Sequence, residues 1–284
     1  MLQGNTDLSG SGTKKDPISE RTLTDLLQGS LLSSPSVSIS ARVPLMEAMP
    51  LLSHHLESFT DSLVITQDEK PIGIIGGNEI LDGILKNQEN FLEKTKVNEV
   101  MSKNLIILSK YTTLEKLLNQ WIETRRAFAI IPNQYQGYSV ISARKLLEVG
   151  MRCKTQLKVG DISHRKIITF RYEQTIREII TSMFENKTRK LILEGTSKFI
   201  SDRIIIQKIV RELNYLRGVK NFLDMSANIF QLDQAKEISD QLTFPEASRI
   251  LYEMDSPYLL LGDAVVTPWD IITSLASKKL VEYN

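Results

Sequence analysis

Apolar positions along this chain switch between two spacings, and the switching repeats. Leu114, Leu117, Leu118, Trp121 and Ile122 recur at three- and four-residue steps, which lays a single apolar stripe along a helix. Ile176, Ile179, Ile180 and Met183 form a second stripe of the same kind. Around these stripes lie dense apolar runs of strand length: 105–108, 127–131 and 138–141 near the first, and 167–170, 190–193 and 198–200 near the second. Four apolar runs end in a small residue and pass at once into a helical pattern. The small residues are Gly76, Ser142, Ser201 and Thr267; the first and third are as far apart as the second and fourth. Met101, Ser102, Asn104 and Leu108 are likewise matched, at one constant offset, by Met225, Ser226, Asn228 and Leu232. The pattern predicts a unit of about 60 residues, duplicated, with the pair duplicated again.

Each unit predicts the order β-α-β-β-α, so the fold class is α/β (α+β). The units span about 37–92, 97–150, 157–215 and 219–281, grouped into a first pair at 21–150 and a second at 157–281. In the first unit the expected elements are a strand at 37–40, a helix at 44–56, strands at 63–66 and 71–75, and a helix from Asn78. In the fourth they are a strand at 228–232, a helix around 246–254, strands at 258–261 and 264–266, and a helix from Pro268. Residues 1–20, rich in Gly, Ser, Thr and Lys, are expected to be a disordered tail, and 22–27 a short helix that joins the first pair's packing.

Composition narrows the function classes. The chain has 284 residues, 42% hydrophobic, with 35 Lys and Arg against 34 Asp and Glu. A net charge of +1 argues against a protein whose main work is neutralising a phosphate backbone. A local cluster of Lys154, Lys158, Arg165 and Lys166 keeps nucleic-acid binding as a minor alternative. No apolar run reaches the roughly 20 residues that cross a bilayer, so no membrane partner is expected. The polar N-terminus lacks an export signal, and a cytoplasmic setting follows. The single cysteine, Cys153, excludes an internal disulfide or a Cys-based zinc cluster. His54 and His55 are adjacent and face different sides of a helix, and His164 lies in a polar stretch, so no metal site is expected. No phosphate-binding loop, nucleophile elbow or zinc-protease motif is present. The expectation is a non-enzyme, with no catalytic residues and no catalytic cofactor.

Thr267-Pro268-Trp269-Asp270 is the most informative short motif. A strand that ends at Thr267 and turns into a helix brings a hydroxyl and a carboxylate together. That carboxylate can accept hydrogen bonds from both hydroxyls of a cis-diol. The same residues make a capping box, with Thr267 at N-cap, Pro268 at N1 and Asp270 at N3. The two roles are compatible. Glu79 keeps an acid at the corresponding place in the first unit, whereas Lys145 and Ile204 replace it in the second and third.

With its paired duplication, and with the segment 262–272 as the best match, the region 37–277 resembles the cystathionine β-synthase (CBS) domain family. Two CBS units of that family form a pseudo-two-fold Bateman module, so four units imply two modules. The resemblance implies binding of an adenosyl compound, of the AMP, ADP, ATP or S-adenosylmethionine class, in clefts between paired units. It implies ribose contacts for Thr267 and Asp270, with Glu79 as the counterpart in the first module. It places Arg189, Lys190, Arg125 and Arg126 on the phosphate side, while Met225, Ile229 and Phe230 are apolar candidates to flank adenine. Lys145 and Ile204 predict no ordinary ribose site in units two and three. The expected function is a sensor or regulatory protein that signals through a partner protein or an oligomer, a homodimer included. A scaffold that binds no ligand is the alternative.

Overall fold

The computed structural model describes residues 17–27, 29, 36–55, 62–86, 94–133, 137–162, 164–212, 221–276 and 282–283. Most of the proposed N-terminal tail therefore lies outside the described residues. Its last part does not fit that expectation: Ile18–Glu20 form a 3-10 turn and Ile18 is fully buried. A lone isoleucine among polar residues has no periodicity to reveal it, and its burial comes from packing against the second unit. The short helix α1 (Leu23–Leu26) follows, capped by Thr22 and Asp25.

The order α-β-β-α recurs in all four units, with an opening strand before it in units one, three and four. Unit one contains β1 (Ser38–Ser40), α2 (Leu45–His55), β2 (Ser62–Gln67), β3 (Lys70–Gly76) and α3 (Gly77–Lys86). Unit two contains α4 (Val97–Val100), α5 (Leu114–Thr124), β4 (Phe128–Pro132), β5 (Tyr138–Ser142) and α6 (Ala143–Arg152). A short strand, β6 (Cys153–Lys154), leads on to unit three: β7 (Arg165–Lys166), β8 (Thr169–Phe170), α7 (Ile176–Glu185), β9 (Lys190–Leu193), β10 (Lys198–Ser201) and α8 (Asp202–Arg211). Unit four has β11 (Asp233–Gln234), β12 (Lys236–Glu237), α9 (Phe244–Glu253), β13 (Leu259–Leu261), β14 (Ala264–Val266) and α10 (Pro268–Ser274). The strand β15 (Glu282–Tyr283) returns to pair with β6. The helices start where the sequence places their caps: the side chains of Thr113, Ser142, Thr175, Ser201 and Thr243 each accept from a backbone N–H in the first turn.

The opening strands differ from expectation. The run 105–108 makes a single parallel bridge, with Leu108 N–H donating to Ile130 and Ile130 N–H to Ile106. The run 228–232 is not a strand: Ala227–Ile229 is a 3-10 turn, and the strand lies later, at β12. Ile229 and Phe230 are apolar because they pack on the core, not because they belong to a sheet. Unit three opens only at β8, because Arg165–Lys166 belongs to another sheet. That strand pairs antiparallel with β14 of unit four, Arg165 opposite Val265. Reciprocally, β11 of unit four pairs with β10 of unit three. The first pair makes the same exchange, through Ser102 with Ile74 and through Ser36 N–H to the Tyr138 carbonyl. Each leading segment thus completes the sheet of the other unit in its pair. Apolar sheet faces fill the space between, with Val64, Ile74, Phe128, Ile130 and Val140 in one module and Ile192, Phe199, Tyr258, Leu260 and Val265 in the other.

Helices join the two modules. Leu45, Met49 and Leu52 of α2 share one core with Ile176, Ile180, Ile205 and Ile209 of unit three. Leu146, Leu147 and Val149 of α6 share another with Phe244, Leu251, Ile271 and Ile272 of unit four. Unit one meets unit three and unit two meets unit four, so the modules pair within a single chain.

Candidate functional site

In every unit the last helix leaves its β-hairpin directly, so the residues at the helix start face the junction between units. At α10 the Asp270 side chain is buried, with 6% of its surface exposed. Its Oδ2 accepts from the Thr267 backbone N–H at 2.8 Å and from the Thr267 hydroxyl at 2.6 Å. The capping role is therefore occupied by one oxygen. The other, Oδ1, faces Nε of Arg165 at 3.4 Å. Arg165 arrives from unit three, carried by the exchange of β7 onto the sheet of unit four.

Two further side chains stand in this layer. Tyr258, just before β13, is buried, and its phenol is pushed well above the ordinary tyrosine range by that burial and then by the nearby charge of Asp270, with Arg165 opposing. Lys190 donates to the Pro257 carbonyl at 2.7 Å, and its ammonium lies 4.8 Å from the Tyr258 ring and 5.0 Å from that of Phe199. Two residues along each strand, on the same face, come Ile167, Ile192 and Leu260. These three, with Ile238, floor an open hollow of about 580 Å³. Its rim is polar, with Thr169, Thr196, Ser197 and Glu237. An apolar layer thus follows the charged layer at Asp270 roughly 7 Å further along the sheets, two residues of strand rise, and the hollow itself lies beside the hairpin turns at Gly195 and Gly262.

The first module repeats the carboxylate arrangement on a longer arm. One oxygen of Glu79 accepts from the Gly76 N–H at 2.9 Å, and the other accepts from the Arg126 guanidinium of unit two. Arg125, beside it, is exposed, adopting a left-handed conformation at the end of α5. Arg189 donates from Nε to Asp202 at 2.6 Å, within its own unit. Lys145 is buried and donates to the Val140 carbonyl at 3.1 Å, and Ile204 is buried in the core. Met225, Ile229 and Phe230 pack with the core shared by units one and three, away from the cluster around Asp270.

The structure therefore brings together Thr267, Asp270 and Lys190 at one cleft and Glu79 with Arg126 at another. Arg165, Tyr258 and Asp202 are the members that sequence reasoning did not place. Asp202 stands directly after the cap Ser201, two positions ahead of the place where an acid was sought. Cys153 is buried, and burial pushes its thiol up to about 12. Among the described residues there is no group of three or more His, Cys, Asp and Glu that could hold a metal ion. Nor is any helix among them long and apolar enough to cross a membrane.

No family model matches the sequence, and no curated protein matches it significantly. Solved structures do match the fold. Protein MJ1225 of Methanocaldococcus jannaschii, a proposed archaeal homologue of the AMP-activated kinase γ subunit, superposes with a TM-score of 0.75 at 18% identity, covering 90% of this chain and 100% of that one. An uncharacterised conserved protein from Pyrococcus horikoshii matches with a TM-score of 0.54 at 11% identity, over 87% of this chain and 98% of that one. The CBS-domain protein ATU1752 of Agrobacterium tumefaciens covers 40% of this chain and 83% of its own length at 17% identity, with a TM-score of 0.36.

Proposed function

We propose, from the premise that this chain has the CBS fold in four units arranged as two Bateman modules, that it is a regulatory protein whose second module binds an adenosyl ligand. The ligand class is AMP, ADP, ATP or S-adenosylmethionine, and the setting is cytoplasmic. The observation that carries this reading is Asp270: a buried carboxylate, one oxygen held by its own cap, the other turned toward Arg165 of the neighbouring unit. A ribose diol donates to Oδ1. Arg165 supplies positive charge for a phosphate or for the carboxylate of an amino-acid moiety. The isoleucine and leucine layer accepts a flat apolar base, in a hollow whose size falls in the range of small-molecule sites. Glu79 with Arg126 offers a second cleft of the same logic in the first module.

Output follows if the bound and empty clefts favour different arrangements of the modules. A partner protein, or a second copy of the chain, then reads the change. One observation favours the scaffold alternative: Glu79, Asp202 and Asp270 are all already ion-paired to arginines. Isothermal titration with AMP, ATP and S-adenosylmethionine separates the two readings. The adenosyl reading expects binding that falls about tenfold or more in Asp270→Asn, with the fold checked by circular dichroism. No binding of any of the three to the wild-type chain would leave the scaffold as the better reading.

A further inference from the structure

We propose that Arg165 is a displaceable latch on Asp270 that makes this cleft select phosphorylated adenosyl ligands over the bare nucleoside. The proposal rests on the adenosyl reading of the same cleft and adds the residue that sets its specificity. Thr267 already supplies two donors to Oδ2 of Asp270, so Oδ1 is the oxygen left for a ligand, and Arg165 stands 3.4 Å from it. A diol can reach that oxygen only by displacing the guanidinium.

The two partners are unequal in freedom. Asp270 is 6% exposed and fixed by its cap, whereas the Arg165 side chain is 43% exposed. It extends from a two-residue strand at the outer edge of its sheet, so the arginine is the one that moves. Once displaced, the guanidinium has lost its anion. A bare nucleoside gives it nothing in return, and binding must oppose the whole ion pair. A phosphate on the same ribose offers two oxygens to the arginine fork, a partner at least as good as the one it left. Lys190 does not substitute, because its ammonium is held by the Pro257 carbonyl and the two aromatic rings.

Titration of the full chain with adenosine and with AMP tests this, comparing wild type, Arg165→Ala and Asp270→Asn. With the latch removed, a larger fraction of sites is open, and adenosine affinity rises about 3- to 10-fold. AMP affinity changes little, because the ion pair that no longer has to be broken offsets the charge-assisted contact that is lost, so the preference of AMP over adenosine collapses. A wild-type chain that ignores adenosine while Arg165→Ala binds it also supports the latch. If both ligands bind and Arg165→Ala keeps the wild-type ratio, the latch is wrong and the adenosyl reading stands. If neither ligand binds wild type or Arg165→Ala, both fail together.

Discussion

Gly77 shows how much can depend on one missing carbon. It opens α3 of unit one directly against Asp202 of unit three, and an added Cβ would fall on the carboxyl group of that residue. Asp202 is not free to yield, since Arg189 holds Oδ2 at 2.6 Å and the Arg203 N–H holds Oδ1 at 2.8 Å. Gly77→Ala is therefore expected to cost about 1–3 kcal/mol, as overpacking of a fixed neighbour does. At about 2–4 °C per kcal/mol for a chain of this size, that is a fall of several degrees in Tm by thermal circular dichroism. Adding Asp202→Ala should return part of the loss, because the two changes share one contact; an unchanged Tm in Gly77→Ala would show that the carboxylate moves aside. Legibility at this scale follows locality. Asp270 was found because its relation to Thr267 is a three-residue spacing. Arg165 was seen only as one cation in a basic cluster, because its relation to Asp270 is created by strand exchange between units, and no local pattern encodes that. Asp202 escaped for a different reason: Ile204 holds the position where the motif puts its acid.

At the scale of elements, the long helices were readable because each needs a buried stripe, and a stripe has a period. The leading segments were not, because two-residue strands such as β7, β11 and β12 have too few positions to alternate. The apolar run at 228–232 misled because core contact and strand membership select the same residue types. The helix start at α6 had a hidden purpose too. Arg144 there is buried and donates to the carbonyls of Tyr252, Met254 and Asp255, the unsatisfied C-terminal end of α9 in unit four. Arg203 of α8 adds a bond to the same Asp255 carbonyl at 2.8 Å. Arg144 is thus a cap for a helix in another module. Arg144→Met should cost about 1–3 kcal/mol in urea unfolding, since charged donors are lost from partly buried carbonyls at the helix end. Arg144→Lys should recover less than half of that, because one ammonium cannot reproduce the planar fork across several carbonyls. Full recovery by lysine would reduce the role of Arg144 to that of a point charge at the helix end.

For the whole molecule, duplication told how many units to expect but not how the pairs would meet, since a helical face looks the same whether its partner lies in the same chain or another. The structure closes both faces internally. Core residues of α2 and α3 mix with those of α7 and α8, and those of α6 mix with α9 and α10, so the two largest apolar cores are shared and each module keeps only the smaller cluster between its own sheets. Separating them would expose both shared cores at once, and the free-energy cost of doing so ties the stability of each module to the other. Calorimetry of the full chain is therefore expected to show one cooperative transition, not two. Gly77→Ala offers an internal check, because its contact joins units one and three: it should lower that whole transition without splitting it. An adenosyl ligand bound at Asp270 should raise the same transition, since whatever binds only the folded state stabilises everything that unfolds with it. Two resolved peaks, with only the second raised by ligand, would mean that the modules unfold independently. A signal from the cleft would then have no rigid path into the first module, and regulation would have to act through the second module alone.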